Sequence, residues 1–512
     1  MRLLPKRRWI RVVLSLVILA LLIVIVDQVW VWKWRQIEVG RDTTRILAPM
    51  EPSGCPDYLA AINAECSAGV TPENNAAPLL LQAVGLEGGQ EPWRAAIKTK
   101  LGLPSAPLPG RVFTLGQSVS MALASTTTTA KAAAKLSDAD EDRYYEEEAL
   151  ARRASWSAVD HAQWVQWVHA NEPALELLYA ATERSRYYVP IASRAGTLAG
   201  LGRETVLGLL IPSTGTYRVL GGSCLARANM RLDAGDQVGF CADVLVTMKL
   251  TRLLAQSPTV IEYLPARALD EEAMTAVQAA ASSRKLDAPA CKMLREAIAA
   301  QGAFPSPVRQ IDTQERYLCL DCICKLARYD EIGISDPPSP ETNSWRTRPV
   351  NFNRCLRLTN QLFDEETAAF RMPTFPERRK AFADSVVRSD ARYESLGRVE
   401  KIVISVSLPS FSRTDNMYTA NLSQRNLALT ALALREQEIR TAKFPESLED
   451  LGPADRADRV DPFVEQPFIY HRSGDGYVLY SVGPNLKDDG GVPKAKEGPA
   501  RKDYDLVVKA ER

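Results

Sequence analysis

Apolar and polar residues alternate along this chain in three distinct ways. The first is an unbroken run. Arg2, Lys6, Arg7, Arg8 and Arg11 precede "VVLSLVILALLIVIV", which carries no charge from Val12 to Val26. Those residues make roughly 22 Å of helix, short of a hydrocarbon core of roughly 30 Å, and continuing to Trp32 makes the segment long enough. Trp9 on one side and Trp30, Trp32 and Trp34 on the other read as interfacial belts, with Asp27 near the far interface. A cleaved signal peptide shares the basic start and apolar middle, but Asp27, Gln28 and the tryptophans stand where a small-x-small exit belongs. A buried core helix is the third reading. The excess of basic residues before the span predicts residues 1–11 in the cytoplasm, an anchor over 12–32 that meets membrane lipid, and the rest of the chain outside.

The second pattern is helical spacing, and it fills most of the chain. Leu59, Ile62 and Cys66 share a face, and Thr71-Pro72 reads as a cap and first turn. From Thr129 to about Arg186 the pattern is helical, with a break expected at Asn171 to Pro173 and a Trp164–Trp167–Val168 stripe that reads as core. "CLARANMRLDAGDQVGFCADVLVTMKLTRLL" reads as a helical hairpin turning at Asp-Ala-Gly-Asp. No repeat recurs at a period of about 34 residues, so a repeat array is not supported. "EEAMTAVQAAASSRKL", "APACKMLREAIAAQ" and stretches near 354–366 and 375–398 are further helices, and "DPPSPETNSWRTRP" is a linker. Periodicity leaves "EKIVISVSLPSF" open between a short strand and a buried apolar segment.

The third pattern is strand-like and confined to the end. A strongly apolar helix through Leu427, Leu429, Leu432 and Leu434 stops near Lys443, where Phe444-Pro445 follows. "SLEDLG" is a capped turn. "FIYHR" and "YVLYSVG" flank Ser473-Gly474-Asp475-Gly476, a hairpin signal. The tail after 495 is charged and expected to fray. The fold class is therefore mainly α: a single N-terminal transmembrane helix, an α-helical extracytoplasmic region over 33–420, a small α+β module over 421–495, and a charged tail over 496–512.

Composition adds exclusions. A net charge of +1 and 7% aromatics, with no basic stripe, speak against nucleic acid as a partner. No P-loop, no G-x-S-x-G and no H-E-x-x-H occurs. His161, His169 and His471 read as surface or satisfied core side chains. Ser223 and Cys224 follow two glycines at what reads as a helix start, where a thiol pKa falls, but no base is identifiable and a turn into the hairpin is the simpler reading. Acidic runs such as "DADED" and "EEE" read as solvated helix faces. Cys319, Cys322 and Cys324 lie in "CLDCIC", which suits buried thiols on an amphipathic helix, a disulfide among them, or half a zinc site with Cys355 nearest.

The ordered set "FP", "SLEDLG", "DPF", "QPFIY", "GYVLYSVGPN", "DDGG" resembles the C-terminal globular half of type II secretion major pseudopilins, over about residues 425 to 491. The chain as a whole resembles a group of membrane-anchored proteins found in planctomycete bacteria, through "YLAAINAECSAGVTPENNAAPLLLQA", "RSRYYVP", "ANMRLDAGD" and the "GYVLYSVGPN…DDGG" end. That second resemblance implies an architecture and not a reaction. "KRRWIRVVLSLV" lacks the glycine cleavage point and following glutamate of a pilin, so processing as a pilus subunit is not expected. The pseudopilin loop binds calcium; the resemblance implies Asn485, Asp488 and Asp489 as Ca²⁺ ligands here, against the alternative of an Asp/Gly-rich turn closing a small domain. Three functional readings follow. They are a non-enzymatic structural or interaction role with an envelope protein partner, an accessory factor of secretion or pilus-like machinery, and an envelope hydrolase whose site is assembled from distant residues.

Overall fold

Short polar side chains set where the helices begin. In this computed structural model the described residues are 14–22, 35–86, 92–105, 110–126, 137–193, 209–210, 214–329, 350–407, 411–452, 456–492 and 505–510. The helices in order are α1 (Tyr58–Ser67), α2 (Ala77–Val84), α3 (Pro92–Lys100), α4 (Leu115–Thr126), α5 (Asp138–Arg153), α6 (Ala162–Thr182), α7 (Thr214–Asp233), α8 (Gln237–Leu254), α9 (Val260–Ser282) and α10 (Ala288–Gln301). After a π turn at Ile311–Glu315 come α11 (Arg316–Tyr329), α12 (Phe352–Phe370), α13 (Phe375–Glu394), α14 (Arg398–Ser407) and α15 (Ser412–Thr441). Asp57, Ser137, Asp236, Thr259, Asp287, Asn351 and Thr374 each accept a first-turn N–H, and Thr374 with Glu377 completes a capping box.

The main core is built on α7, α8 and α9, with α6 and α2 on one side and α15 laid along α9 and α10 on the other. A second core joins α1, α11, α12 and α14 through Tyr58, Ile62, Leu320, Ile323, Leu356 and Ile404. Smaller cores hold Trp156, Trp164 and Trp167 against α4 and α5, and Phe363, Phe370 and Phe382 against Phe411. Buried ion pairs tie helices to one another. Asp243, fully buried, accepts from Arg227 at 2.6 Å, Arg231 at 2.9 Å and the Tyr179 hydroxyl at 2.5 Å. Arg378 donates to Asp415 at 2.6 Å and Thr419 at 2.7 Å, pinning α13 to α15. A charge pair stays ionised in such surroundings only when both partners are present, so each is a constraint on packing.

The C-terminal sheet runs β5 (Ile469–Ser473), β6 (Gly476–Ser481) and β7 (Leu506–Ala510), antiparallel throughout, after a small β3 (Val460–Asp461) and β4 (Gln466–Pro467) pair. Another two-residue pair, β1 (Ala192–Ser193) and β2 (Leu209–Leu210), lies in the helical region. The hairpin closes at Ser473↔Gly476 around Gly474 and Asp475, as the turn residues predict.

Several expectations need correcting. The helix after Thr71 begins at Ala77 with Pro78 in its first turn; Thr71 and Asn74 close a polar turn instead, Thr71 N donating to Asn74 Oδ1 at 2.8 Å. Asn171 and Pro173 do not break α6. The fully buried Asn171 amide is held by Phe113 N–H at 2.9 Å and by the carbonyls of Phe113 and Trp167, and packing carries the helix through the proline. "EKIVISVS" is helical. The boundary expected after residue 420 falls inside α15, and the tail expected to fray supplies β7, whose Leu506, Val508 and Ala510 are buried.

Residues 14–22 are helical and exposed on every face; Leu14, Leu16, Val17, Ile18, Leu19, Leu21 and Leu22 each keep between 49% and 60% of their surface. Their flanks at 1–13 and 23–34, which complete the expected anchor, lie outside the described residues, as does the expected linker. Among the described residues no helix is long and apolar enough to cross a membrane.

Candidate functional site

The loop after β6 is the place the sequence marks for a metal. Gly483, Leu486, Gly490 and Gly491 all take positive φ, so the chain reverses tightly. A Cβ on Gly491 would sit 3.3 Å from the Tyr480 and Val478 side chains, so both φ and space call for glycine there. The loop brings Asn485, Asp488 and Asp489 together and adds Asp505 from the start of β7. Asp488 Oδ1 accepts from the Tyr480 hydroxyl at 2.9 Å and from Gly490 N–H at 2.8 Å. Asn485 Nδ2 donates to Asp489 at 2.8 Å, and its oxygen accepts from Lys487 N–H at 3.1 Å. Asp505, nearly fully buried, accepts from Gly491 N–H at 2.7 Å and Asp489 N–H at 3.4 Å. Burial lifts its carboxyl above the usual range, and burial with the Asp488 hydrogen bond pushes Tyr480 up to about 12.

Calcium asks for six to eight oxygens directed at one point. Here the side-chain oxygens are directed at loop N–H groups, at an amide and at a phenol. Among the described residues no group of three or more His, Cys, Asp and Glu side chains takes a metal-holding arrangement. In this arrangement the loop's side chains brace a tight turn beside the sheet. Asp505 opens the short apolar run "LVV", whose β-branched residues are the available signal for a strand.

Asp461, from the Asp-Pro-Phe turn, is the more consequential carboxylate of this region. It is 1% exposed and accepts from Phe463 N–H at 3.0 Å, Val482 N–H at 3.0 Å and the Ser423 hydroxyl at 3.2 Å. One side chain thus joins the turn, the exit of β6 and the middle of α15.

The other candidates resolve into packing. Ser223 and Cys224 lie in the interior of α7, which starts at Thr214, so no helix N-terminus faces the thiol. Ser223 donates to Leu220 O at 2.9 Å, and burial holds the Cys224 thiol well above its usual range. The two glycines before them are needed for close approach: a Cβ on Gly221 would lie 2.2 Å from Leu269 Cδ2, and one on Gly222 would lie 2.4 Å from Arg152 Nε. His161 stacks on Trp164 at 4.0 Å, His169 is exposed beside Glu172 at 3.5 Å, and His471 lies on β5. Among the described residues, which include all nine cysteines, no disulfide is formed. Cys319 and Cys324 point roughly 140° apart around α11, into different cores, and Cys355 belongs with Cys324's core.

The "EEE" run is not wholly solvated. Glu148 is 4% exposed, paired with Arg152, and accepts from Leu115 N–H at 2.7 Å, while Glu147 accepts from Trp164 Nε1 at 2.9 Å. Glu148, Arg152 and Arg218 border a cleft of about 1050 Å³ between α4, α5 and the start of α7, with Tyr144, Tyr145 and Met121 on its walls. Arg218 donates to Glu272 at 2.7 Å. These residues come from well-separated stretches, so spacing along the chain could not reveal the cleft. Searches of protein-family models, curated proteins and solved structures found no match for this chain.

Proposed function

We propose that the protein is a single-pass, membrane-tethered envelope protein whose body lies outside the cytoplasm and serves a structural or protein-interaction role, without catalysis. The observation that carries this reading is the helix at 14–22, which exposes Leu, Val and Ile on all faces. Such a surface is stable in lipid and costly in water. The chain joins the body soon after it. Glu38 N–H donates to Asn353 at 2.9 Å, Arg357 pairs with Asp42 at 2.6 Å, and Asn360 holds the Asp42 carbonyl at 3.1 Å.

The non-catalytic half of the reading is supported by the fate of the candidate groups, since Ser223, Cys224 and the loop carboxylates are all engaged in packing or turn formation. The cleft beside Arg152 and Arg218 gives an interaction role an address. The C-terminal sheet shares the main core with α9 and α15, which supports a part in stabilising the helical region over a freely docking module. A reporter enzyme that is active only outside the cytoplasm, fused after Arg512, tests the placement. Activity in whole cells together with retention in alkali-washed membranes is the expected result; a reporter active only in the cytoplasm overturns it.

A further inference from the structure

Two thiols far apart in sequence meet in the second core. Cys55 is 2% exposed and Cys324 is fully buried, and the two lie in the same core with their thiols close enough to perturb one another. The segments carrying them are fastened on both sides of that contact. Glu51 N–H donates to the Cys55 carbonyl at 2.8 Å, Met50 and Pro56 form a bridge, and the Lys325 ammonium pairs with Glu51. Tyr58, three residues beyond Cys55 at the start of α1, lies beside Cys324 and donates to the Thr44 carbonyl at 2.9 Å. Neither thiol is placed by the C-x-x-C spacing. Cys319 and Cys322 face another way, and the partner of Cys324 lies near the other end of the chain.

We propose that Cys55 and Cys324 form a dithiol that closes to a disulfide, joining the segment that follows the apolar N-terminal helix to α11. Occupancy of that bond in cells rests on the extracytoplasmic placement proposed above, because only an oxidising compartment holds it closed. The oxidant is a disulfide, small or protein-borne. The Cys55 thiolate attacks one of its sulfurs, forming a mixed disulfide and releasing the first thiolate. The Cys324 thiolate then attacks Cys55 Sγ, forming the internal bond and releasing the second. The chain loses two protons and two electrons, and the oxidant becomes two thiols. Cys55 lies in the short 50–56 turn and Cys324 within α11, so opening of that turn uncovers Cys55 and makes it the attacking group. Both sulfurs are buried in the folded chain, so exchange belongs to folding or to local opening of the 50–56 hairpin.

The test uses the full chain in detergent, refolded in a glutathione/glutathione-disulfide buffer, quenched with iodoacetamide and mapped by mass spectrometry. Before alkylation the expected product is about 2 Da lighter than the reduced chain, and after it the product carries two fewer carbamidomethyl groups, with one linkage, between the Cys55 and Cys324 peptides. Cys55→Ser and Cys324→Ser each abolish it, and Cys319→Ser leaves it intact. The oxidised chain melts about 3 °C or more above the reduced one, as expected for a bond closing so long a loop. A linkage between Cys319 and Cys322, or full alkylation of Cys55 and Cys324 in the wild-type chain after oxidative refolding, overturns the proposal whether or not the variants fold. A linkage that forms in the tube while both thiols are recovered reduced from cells leaves the dithiol standing and overturns the extracytoplasmic placement.

Discussion

Replacing Asp461 with alanine removes the acceptor for two main-chain N–H groups and one hydroxyl, all buried. A buried donor left without a partner costs about 1–3 kcal/mol. The three share one site and relax together, so their costs do not simply add, and a loss of about 4 kcal/mol is expected. Asp461→Asn keeps one oxygen where Phe463 N–H and Ser423 converge and turns an NH₂ toward Val482 N–H; about 2 kcal/mol is lost. The assay is urea unfolding of the full chain in detergent, followed by tryptophan fluorescence and far-ultraviolet circular dichroism. No tryptophan lies after Trp345, whereas Trp156, Trp164 and Trp167 sit in the helical region. If the sheet and helices are one cooperative body, a change at Asp461 moves the tryptophan transition to lower urea by on the order of 1 M. An unchanged tryptophan midpoint, or an early dichroism change the tryptophans do not follow, would refute the shared-core reasoning.

Other outcomes follow from the same geometry. Gly222→Ala drives a methyl into Arg152 and should cost about 2–4 kcal/mol in a denaturant titration. Glu366 has a buried, unpartnered carboxylate oxygen, and burial raises its pKa to about 7. The stability it contributes is complete below its usual value of 4.5 and is lost as pH rises through about 7. Glu366→Gln should therefore exceed the wild type by about 2 kcal/mol at pH 8, after allowing for solvent screening, and match it near pH 4. Deleting residues 505–512 strips β7 from β6 and should lower the thermal midpoint and raise binding of an apolar dye. Millimolar Ca²⁺ should leave the melting temperature of the full chain unchanged, because the loop oxygens are already hydrogen-bonded; a rise that Asp488→Asn abolishes would restore Asn485, Asp488 and Asp489 as ligands.

The helices that were legible were those whose caps and apolar stripes agree, such as α10, whose bounds "APACKMLREAIAAQ" already showed. The hairpin was legible because its turn residues and alternation agree. What was illegible depended on distant partners. Asn171 carries α6 past Pro173 only because Phe113 is there to hold it. The 505–510 strand is charged at its rims, and its alternation is meaningful only beside β6. Gly221 and Gly222 resembled a nucleophile turn because the sequence does not show Leu269 and Arg152 pressing on them. The thiol pair and the cleft are likewise products of tertiary structure. Local spacing singled out Cys319, Cys322 and Cys324 as a group, while the fold places Cys324 in one core with Cys55.

A single introduced thiol tests whether the body of the chain is tethered and faces outward. Val159 is 91% exposed in the turn before α6, and eight of the nine native cysteines are buried while Cys322 is half-buried. A Val159→Cys chain is treated with a membrane-impermeant maleimide in cells whose outer envelope is opened and whose inner membrane is intact. Labelling at position 159 before lysis is expected, against a wild-type chain that stays unlabelled. Labelling that appears only after the inner membrane is broken would contradict it.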